Sequence, residues 1–414
     1  MNYKILFLIL DGIGDHGNRE LFYGKTPLEA AKKPNIDKLC RNSECGLVYP
    51  VDIGVVPGSD TGHLALLGYD PYKYYRGRGI FEALGLGINL EPGDIAFRVN
   101  FATVSEDGTI LDRRAQRNDF GIENILSDFK GIVENVEEEY NVEIIIKKGV
   151  EHRGVLVIRG LDSEKVKEID KHKENEKVSK VEPLEEGAKK TAEVLNTLLE
   201  NFYKFANNHE INKERKNLGL LPVNYMLIRG SSKFIPVPEK ELFYEKYNLK
   251  GIFIAGAPMY LGVAKYVGLD TYKPPGATGT VNTSLISKAE AAIKKRDEYD
   301  IVFTHIKATD SLSHDRKPKE KKNFIERVDE DFFSRVKEEF DIIVVTGDHS
   351  TSSIWGMHIP DPVPLMIYSP INRKDSVKNF AERKCHKGIL GHIKGTSIIK
   401  IILSKIGKAE WFGT

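Results

Sequence analysis

The sequence predicts an α/β fold: a mostly parallel sheet with helices on both faces, interrupted by a smaller α+β unit. Three observations carry this. Continuous apolar runs at 4–10, 300–306 and 341–346 read as central parallel strands buried on both faces. Each run ends in a polar or acidic segment, as strands of open α/β sheets do where ligands collect beyond their carboxyl ends. Between about 95 and 175 the pattern changes to short strands beside two helical stretches, while 414 residues exceed one ordinary core.

The first run ends at Asp11-Gly12, which by itself also suits a turn. Thr26-Pro-Leu-Glu29 is a helix start with a capping box, and Pro34 opens another helix. Val56-Pro-Gly-Ser-Asp-Thr-Gly-His63 is a small Gly-flanked loop opening into an apolar helix. Ser59 there sits beside free backbone N–H groups and the positive helix end, an anion site or an ordinary cap. It lacks the Gly-x-Ser-x-Gly elbow of histidine-activated esterases. Arg76–Phe81 reads as a flexible basic loop in which Arg78 suits a phosphate or carboxylate, or simply the surface.

In the smaller unit, 95–101, 144–146 and 154–158 read as strands and 121–129 and 131–140 as helices. Asp112-Arg-Arg-Ala-Gln-Arg117 concentrates Arg113, Arg114 and Arg117, and Arg153 lies elsewhere in the unit. Such clustering suits oxyanion binding or a solvated charged face. The charged stretch 161–187 reads as a surface excursion or hinge, and 186–207 as a long amphipathic helix. Strands follow at 224–229 and 251–255, a turn-rich loop at 274–279 and a helix at 282–296.

The 300–306 run leads to Asp310-Ser-Leu-Ser-His314, whose two ligand-type side chains share one face if helical. Arg316–Lys322 reads as a solvated run, and Ile325, Val328, Phe332, Val336 and Phe340 as the buried stripe of a helix. The 341–346 run delivers Asp348 and His349, which alone suit a turn or cap. His358 stands in a Pro-stiffened loop before a strand at 365–368; His386 and His392 read as ordinary surface or core histidines.

Composition narrows the function classes. With 61 Lys+Arg against 60 Asp+Glu, nothing points to nucleic acid or an anionic membrane. No run approaches the ~18 apolar residues of a membrane span. Cys40, Cys45 and Cys385 are odd in number and lack metal-type spacing, which fits a reducing cytoplasm. Taken together, Asp11, Asp310, Asp348, His314, His349 and His358 form a thiolate-free set suited to two divalent ions such as Mn²⁺, Mg²⁺, Co²⁺ or Zn²⁺. Two such ions, with Ser59 as nucleophile, suit phosphoryl transfer.

At this point the sequence resembles the alkaline phosphatase superfamily and, more closely, the archaeal-type 2,3-bisphosphoglycerate-independent phosphoglycerate mutases. The resemblance runs nearly the whole length, through Asp11-Gly-Ile-Gly-Asp15, Lys25-Thr-Pro-Leu-Glu-Ala30, Gly58-Ser-Asp-Thr-Gly-His63, Leu67-Gly-Tyr-Asp-Pro71, Arg76-Gly-Arg-Gly-Ile-Phe-Glu-Ala83, Pro275-Gly-Ala-Thr-Gly279, His305-Ile-Lys-Ala-Thr-Asp310 and Gly347-Asp-His-Ser-Thr351. It implies one metal held by Asp11, Ser59, Asp348 and His349, with Ser59 the phosphoryl acceptor, and another held by Asp310, His314 and His358. Ser-Leu-Ser between Asp310 and His314 departs from the Glu-Ala-Gly expected there. The implied architecture is an alkaline-phosphatase-like catalytic domain, discontinuous over 1–95 and 180–414, with an inserted cap or substrate domain over 96–179. The implied reaction interconverts 3- and 2-phosphoglycerate, a step of glycolysis and gluconeogenesis, through a phosphoserine and without 2,3-bisphosphoglycerate. On chemistry, Arg113, Arg114, Arg117, Arg78, Arg153 and Lys307 are the candidates for binding the substrate. The rival readings are a phosphomonoesterase or nucleotide phosphodiesterase on the same site, and a catalytically idle metal-binding or regulatory relative.

Overall fold

The computed structural model describes residues 3–170, 173–411 and 413. Two compact units emerge, one built from 1–75 and 237–414 and the other from 76–236.

The first unit is organised on an eight-stranded sheet. Its order is Gly391–Lys394, Ser43–Tyr49, Val363–Tyr368, Ile342–Thr346, Ile5–Leu10, Ile301–Ile306, Gly251–Ile254, Asp270–Tyr272. Ile5–Leu10 lies at the middle and pairs in parallel with both Ile301–Ile306 and Ile342–Thr346, as the three apolar runs predict. Only Val363–Tyr368 runs against its neighbours on both sides. The six side chains of Ile5–Leu10 are at most 1% exposed. Each such aliphatic or aromatic group contributes roughly 1.5–3 kcal/mol on leaving water, so the register that aligns the three strand ends is strongly held. The site depends on that alignment, because the three central strands terminate together.

The second unit is an antiparallel sheet, Ile110–Asp112, Ile95–Val104, Arg153–Arg159 and Glu143–Lys148, with Tyr225–Lys233 also paired to Ile95–Val104. Helices Ile122–Asp128, Lys130–Tyr140 and Lys189–Asn207 cover it around Phe97, Phe101, Phe129, Leu195 and Phe202.

The inserted unit therefore begins and ends elsewhere than the expected 96–179. Ile95–Val104 takes Tyr225–Lys233 as a full-length partner, and the amphipathic helix Lys189–Asn207 supplies this unit's core, so 180–236 belongs here. Arg76–Phe81 is not a flexible loop: Arg78–Gly85 is a helix whose Ile80, Phe81 and Ala83 are buried. Two charged stretches also depart from their surface reading. Within 161–187, Val166, Ile169, Asp170 and Val181 are buried, although Lys171 and His172 of that stretch lie outside the described residues. Within Arg316–Lys322, Lys321 is fully buried inside helix Pro318–Arg327.

A stretch of backbone in the second unit is under strain. Ala115, Gln116 and Arg117 have φ of 45°, 56° and 54°. The left-handed region costs roughly 1–2 kcal/mol for each L-residue and is visited singly, not in runs.

Candidate metal centre

The site of the first unit assembles beyond the carboxyl ends of its three central strands. Ile5–Leu10 delivers Asp11, Ile301–Ile306 leads through Lys307 into helix Ala308–His314, and Ile342–Thr346 leads to Asp348 and His349. Helix Ser59–Leu66 brings Ser59 in at its first position, after Gly58. Two glycines permit the close approach. Gly12 has φ 63°, and a Cβ on it would lie 2.6 Å from Thr351 Oγ1; one on Gly62 would lie 2.2 Å from the Asp348 carbonyl. His358 arrives on the short strand Met357–Ile359, paired with Ser350–Ser352.

Asp11, Asp348 and His349 are fully buried, Asp310 2% exposed and Ser59 4% exposed. Ser59 Oγ lies 3.1 Å from His349 Nε2. The same Nε2 lies 3.4 Å from Asp11 Oδ1 and 3.3 Å from Asp348 Oδ2. Around Asp310, Nε2 of His314 and Nε2 of His358 come to 3.3 and 3.4 Å of Oδ1. Among the described residues, ligand atoms of Asp11, Asp348 and His349 fall within 4.8 Å of one another, and so do those of Asp310, His349 and His358. His349 thus stands in both groups, whereas His314 joins through Asp310.

The hydrogen bonds of the imidazoles decide what these groups suit. His314 Nδ1 is 2.8 Å from the Gly356 carbonyl, and His358 Nδ1 is 2.8 Å from the Pro57 carbonyl. A carbonyl only accepts, so both Nδ1 atoms carry a proton, and each ring turns its Nε2 toward the same carboxylate oxygen, where it offers a lone pair to a cation or, when charged, a proton to the carboxylate. His349 follows the pattern: the Thr351 hydroxyl donates to Asp310 Oδ1 at 2.8 Å and is left to accept from His349 Nδ1 at 2.9 Å. Lone pairs converging on carboxylates repel one another unless a cation or proton lies between them. A ring anchored by Nδ1–H to a backbone or hydroxyl oxygen is how metal-ligating histidines are held. Asp348 Oδ2, buried without a hydrogen-bond partner, adds a further orphaned acceptor. The donor set fits divalent cations.

Electrostatics keep the carboxylates ionised. Burial raises the proton affinity of Asp11, but Lys307 and the His305 and His349 rings outweigh it and hold Asp11 well below the usual carboxylate range. Asp310 behaves alike, with Lys307, His314 and His358 overcoming burial. Lys307 Nζ is 3.2 Å from Asp11 Oδ1 and also bonds Asp310 Oδ2; against its burial, those neighbours push it well above the usual lysine range. His305 is pushed down to about 4, burial outweighing the Asp11 bond, so it is neutral at pH 7 and donates Nε2–H to Asp11 Oδ2 at 2.8 Å.

All seven ligand candidates and Lys307 converge here. Residues passed over at the sequence level complete the site. His63 Nδ1 donates to the Ser59 carbonyl at 2.6 Å, one helical turn on, a signal present in the four-residue spacing. His305, an imidazole inside an otherwise apolar strand, was equally visible. Lys321 was not: its ammonium bonds Asp15 Oδ2 at 2.9 Å and the carbonyls of Gly12, Gly14 and Thr351 at 2.8, 3.3 and 3.3 Å.

The candidate arginines all lie in the second unit. Arg113 is buried and bound to Asp170, which departs from its expected role as a substrate ligand. Arg78 Nε is 3.9 Å from Glu82. Arg114 is half-buried, and Arg117 and Arg153 are exposed. Burial first, then the charges of Arg113, Arg117 and Arg153, lower the proton affinity of Arg114. These guanidiniums therefore form a concentration of positive charge.

A mostly parallel α/β sheet with carboxylates, imidazoles and a helix-start serine gathered at its carboxyl edge defines a class of enzyme suited to hard or borderline metal ions. Comparison with known proteins narrows it. Residues 40–212 match the model of the 2,3-bisphosphoglycerate-independent phosphoglycerate mutase family. A protein of Methanocaldococcus jannaschii named 2,3-bisphosphoglycerate-independent phosphoglycerate mutase 1 is 44% identical over 99% of both chains, and one of Picrophilus torridus, also so named, is 43% identical over 99% of both. Among solved structures, the PH0037 protein of Pyrococcus horikoshii aligns with a TM-score of 0.83 at 36% identity, covering 100% of this chain and 99% of that one. The cofactor-independent phosphoglycerate mutase of Thermoplasma acidophilum aligns at 0.68 with 33% identity, covering 97% and 99%. The chain belongs to the 2,3-bisphosphoglycerate-independent phosphoglycerate mutase family.

Proposed function

We propose that this enzyme interconverts 3-phosphoglycerate and 2-phosphoglycerate without 2,3-bisphosphoglycerate, by way of a phosphorylated Ser59. The observation that carries the proposal is the position of Ser59: at a helix start, 3.1 Å from His349 Nε2, among Asp11 and Asp348. Asp11, Ser59, Asp348 and His349 would hold one divalent cation, and Asp310, His314 and His358 another, drawn from Mn²⁺, Mg²⁺, Co²⁺ and Zn²⁺. Such cations neutralise charge on a transferring phosphoryl group and make a bound hydroxyl easier to deprotonate.

The chain's own residues do the rest. Ser59 Oγ forms a bond to phosphorus as the bond from phosphorus to the glycerate oxygen breaks. The proton lost by Ser59 ends on the glycerate hydroxyl so released. The return step repeats this at the neighbouring hydroxyl, so the cycle is neutral in protons and consumes no water. The first-turn N–H groups of helix Ser59–Leu66 favour the phosphoserine's negative charge. His63 fixes the start of that helix, and His305 and Lys307 hold Asp11 ionised. Lys307 also donates to phosphoryl oxygens, and the arginines of the inserted unit bind the carboxylate of glycerate. Three unpaired, buried cysteines support a reducing, cytoplasmic setting.

The test is Ser59→Ala. Turnover of 3-phosphoglycerate should fall by at least ~10³-fold, while bound metal, measured by elemental analysis, stays within about half of wild type. A variant that retains near wild-type turnover refutes the covalent step.

A further inference from the structure

Tyr260 lies in helix Pro258–Tyr266, which follows the strand Gly251–Ile254 of the central sheet, and it is 3% exposed. Its ring meets three groups that serve the candidate metal ligands. The His305 imidazole is stacked on it, with centroids 3.7 Å apart and planes 27° from parallel. The His63 ring lies 4.9 Å away at an angle of 56°. The Lys307 ammonium stands 5.7 Å from the ring centroid, within the range of a cation–π contact.

These three groups hold different parts of the ligand cluster. His305 Nε2 donates to Asp11 Oδ2 at 2.8 Å. Lys307 Nζ donates to Asp11 Oδ1 at 3.2 Å and also bonds Asp310 Oδ2. His63 Nδ1 donates to the Ser59 carbonyl at 2.6 Å, which fixes the backbone of the candidate nucleophile. One ring thus touches the supports of two carboxylates and of Ser59.

Hydrogen bonds alone do not fix these imidazoles. A bond from one ring nitrogen sets a direction and leaves the plane free to turn about it. His63 Nε2 is buried without a hydrogen-bond partner, so the far end of that ring is held by its aromatic neighbours, Tyr260 and Phe253, the latter at 5.9 Å. A stacked contact such as that on His305 sets the plane that the hydrogen bond leaves open. Among the described residues no hydrogen bond ties the Tyr260 hydroxyl to the protein, so the ring itself makes the contact.

We infer that Tyr260 is a positioning residue for the metal centre: its ring is the surface against which His305, His63 and Lys307 are aligned, and through them Asp11, Asp310 and the Ser59 backbone. This rests on the ligand set proposed above and goes beyond it by giving a task to a residue that is itself no ligand candidate.

The experiment uses the full chain and measures Co²⁺ affinity by chelator competition, the visible absorption of the Co²⁺-loaded protein, and thermal unfolding of the metal-free chain. The absorption follows the number and arrangement of the ligands, which a loss of packing elsewhere in the fold would not alter. Tyr260→Leu should weaken Co²⁺ binding at least about tenfold and shift the absorption, while the metal-free chain still melts cooperatively. Tyr260→Phe keeps the ring and should stay within about threefold of wild type with the absorption unchanged. Tyr260→Met, which fills space without a flat face, carries the test if the Leu variant does not accumulate. A wild-type chain that takes up no Co²⁺ overturns the ligand set itself. Where wild type binds, a folded Leu or Met variant with affinity within about twofold and the same absorption overturns the positioning role alone. A Phe variant as impaired as the Leu variant overturns it too, because the hydroxyl and not the ring then carries the effect.

Discussion

Lys321→Met tests whether the loops carrying the candidate ligands are held by the buried ammonium. The helix Pro318–Arg327 places Lys321 Nζ among Asp15 Oδ2 and the carbonyls of Gly12, Gly14 and Thr351, with both charged side chains fully buried. One cation therefore joins the turn after Asp11 to the strand after His349. Methionine matches the length of the stem but removes the charge. Asp15 Oδ1 keeps two backbone donors, His16 N–H at 2.7 Å and Ser353 N–H at 2.8 Å, while Oδ2 loses its partner. Breaking a buried pair from one side costs about 3–5 kcal/mol. The two remaining donors place this case at the lower end, near ~3 kcal/mol. Asp15→Asn combined with Lys321→Met removes the orphaned charge and should recover about half of the loss. Urea unfolding of the metal-free chain, followed by circular dichroism, gives these differences. A loss under ~1 kcal/mol in Lys321→Met, or a double variant no more stable than the single one, refutes the reasoning.

The same substitution at the other fully buried lysine should act in the opposite direction. Among the described residues Lys288 donates only to the His305 carbonyl, at 2.9 Å, and burial pushes it down to about 7. At about 1.4 kcal/mol per tenfold in proton affinity, that burial costs roughly 4 kcal/mol near neutral pH. Subtracting about 2 kcal/mol for the carbonyl left without a donor, Lys288→Met should stabilise by ~2 kcal/mol. Because the unfolded chain keeps this proton to pH 10.5 and the fold releases it near 7, wild-type stability should rise with pH across that window, and the rise should be absent in Lys288→Met; calorimetry in paired buffers reads both. In the inserted unit, burial and then Arg153, Arg114, Arg117 and Arg113 push His152 down to about 3. The unfolded chain takes up this proton below pH 6.5 and the fold does not, so stability should fall as pH drops from 6.5 toward 3. The slope is at most ~1.4 kcal/mol per pH unit, nearer half after solvent screening; His152→Asn should flatten it. His358→Ala, which removes a ring anchored by the Pro57 carbonyl, should lower metal retention on dialysis against a weak chelator by at least ~10-fold, and an unchanged metal content would remove His358 from the ligand set.

The legible parts of the fold were those with a period or a strong local rule. Three apolar runs announced the central parallel strands, and the polar residue after each announced the site, because strand ends are where a chain must leave the sheet. Asp310 and His314 met across one helical turn even with an altered sequence between them. What the sequence hid were charged residues buried for reasons far away in the chain. Lys321 sits among exposed lysines of the same type, and its burial is decided by Asp15 and three carbonyls more than 29 residues distant. Asp170 looked like one more member of a solvated run, and nothing local marks it as the partner of Arg113. The domain limits failed for the same reason: the strand Tyr225–Lys233 pairs with Ile95–Val104 across more than a hundred residues, and no composition change reports that pairing.

The hidden charges also separate what residue type conveys from what geometry conveys in each unit. In the first unit, each candidate ligand has one bonded atom that fixes the direction of another: His358 by Pro57, His314 by Gly356, His349 by Thr351. Residue type and ring orientation agree there, and a divalent cation would satisfy lone pairs and carboxylates together. In the second unit, residue type alone makes every arginine equivalent. Only the buried partner separates Arg113, fixed by Asp170, from its neighbours Arg114 and Arg117 on the strained turn. A side chain's task in this enzyme is thus read from what already occupies its other polar atoms, and the residues supplying those contacts are as much a part of the site as the groups they aim.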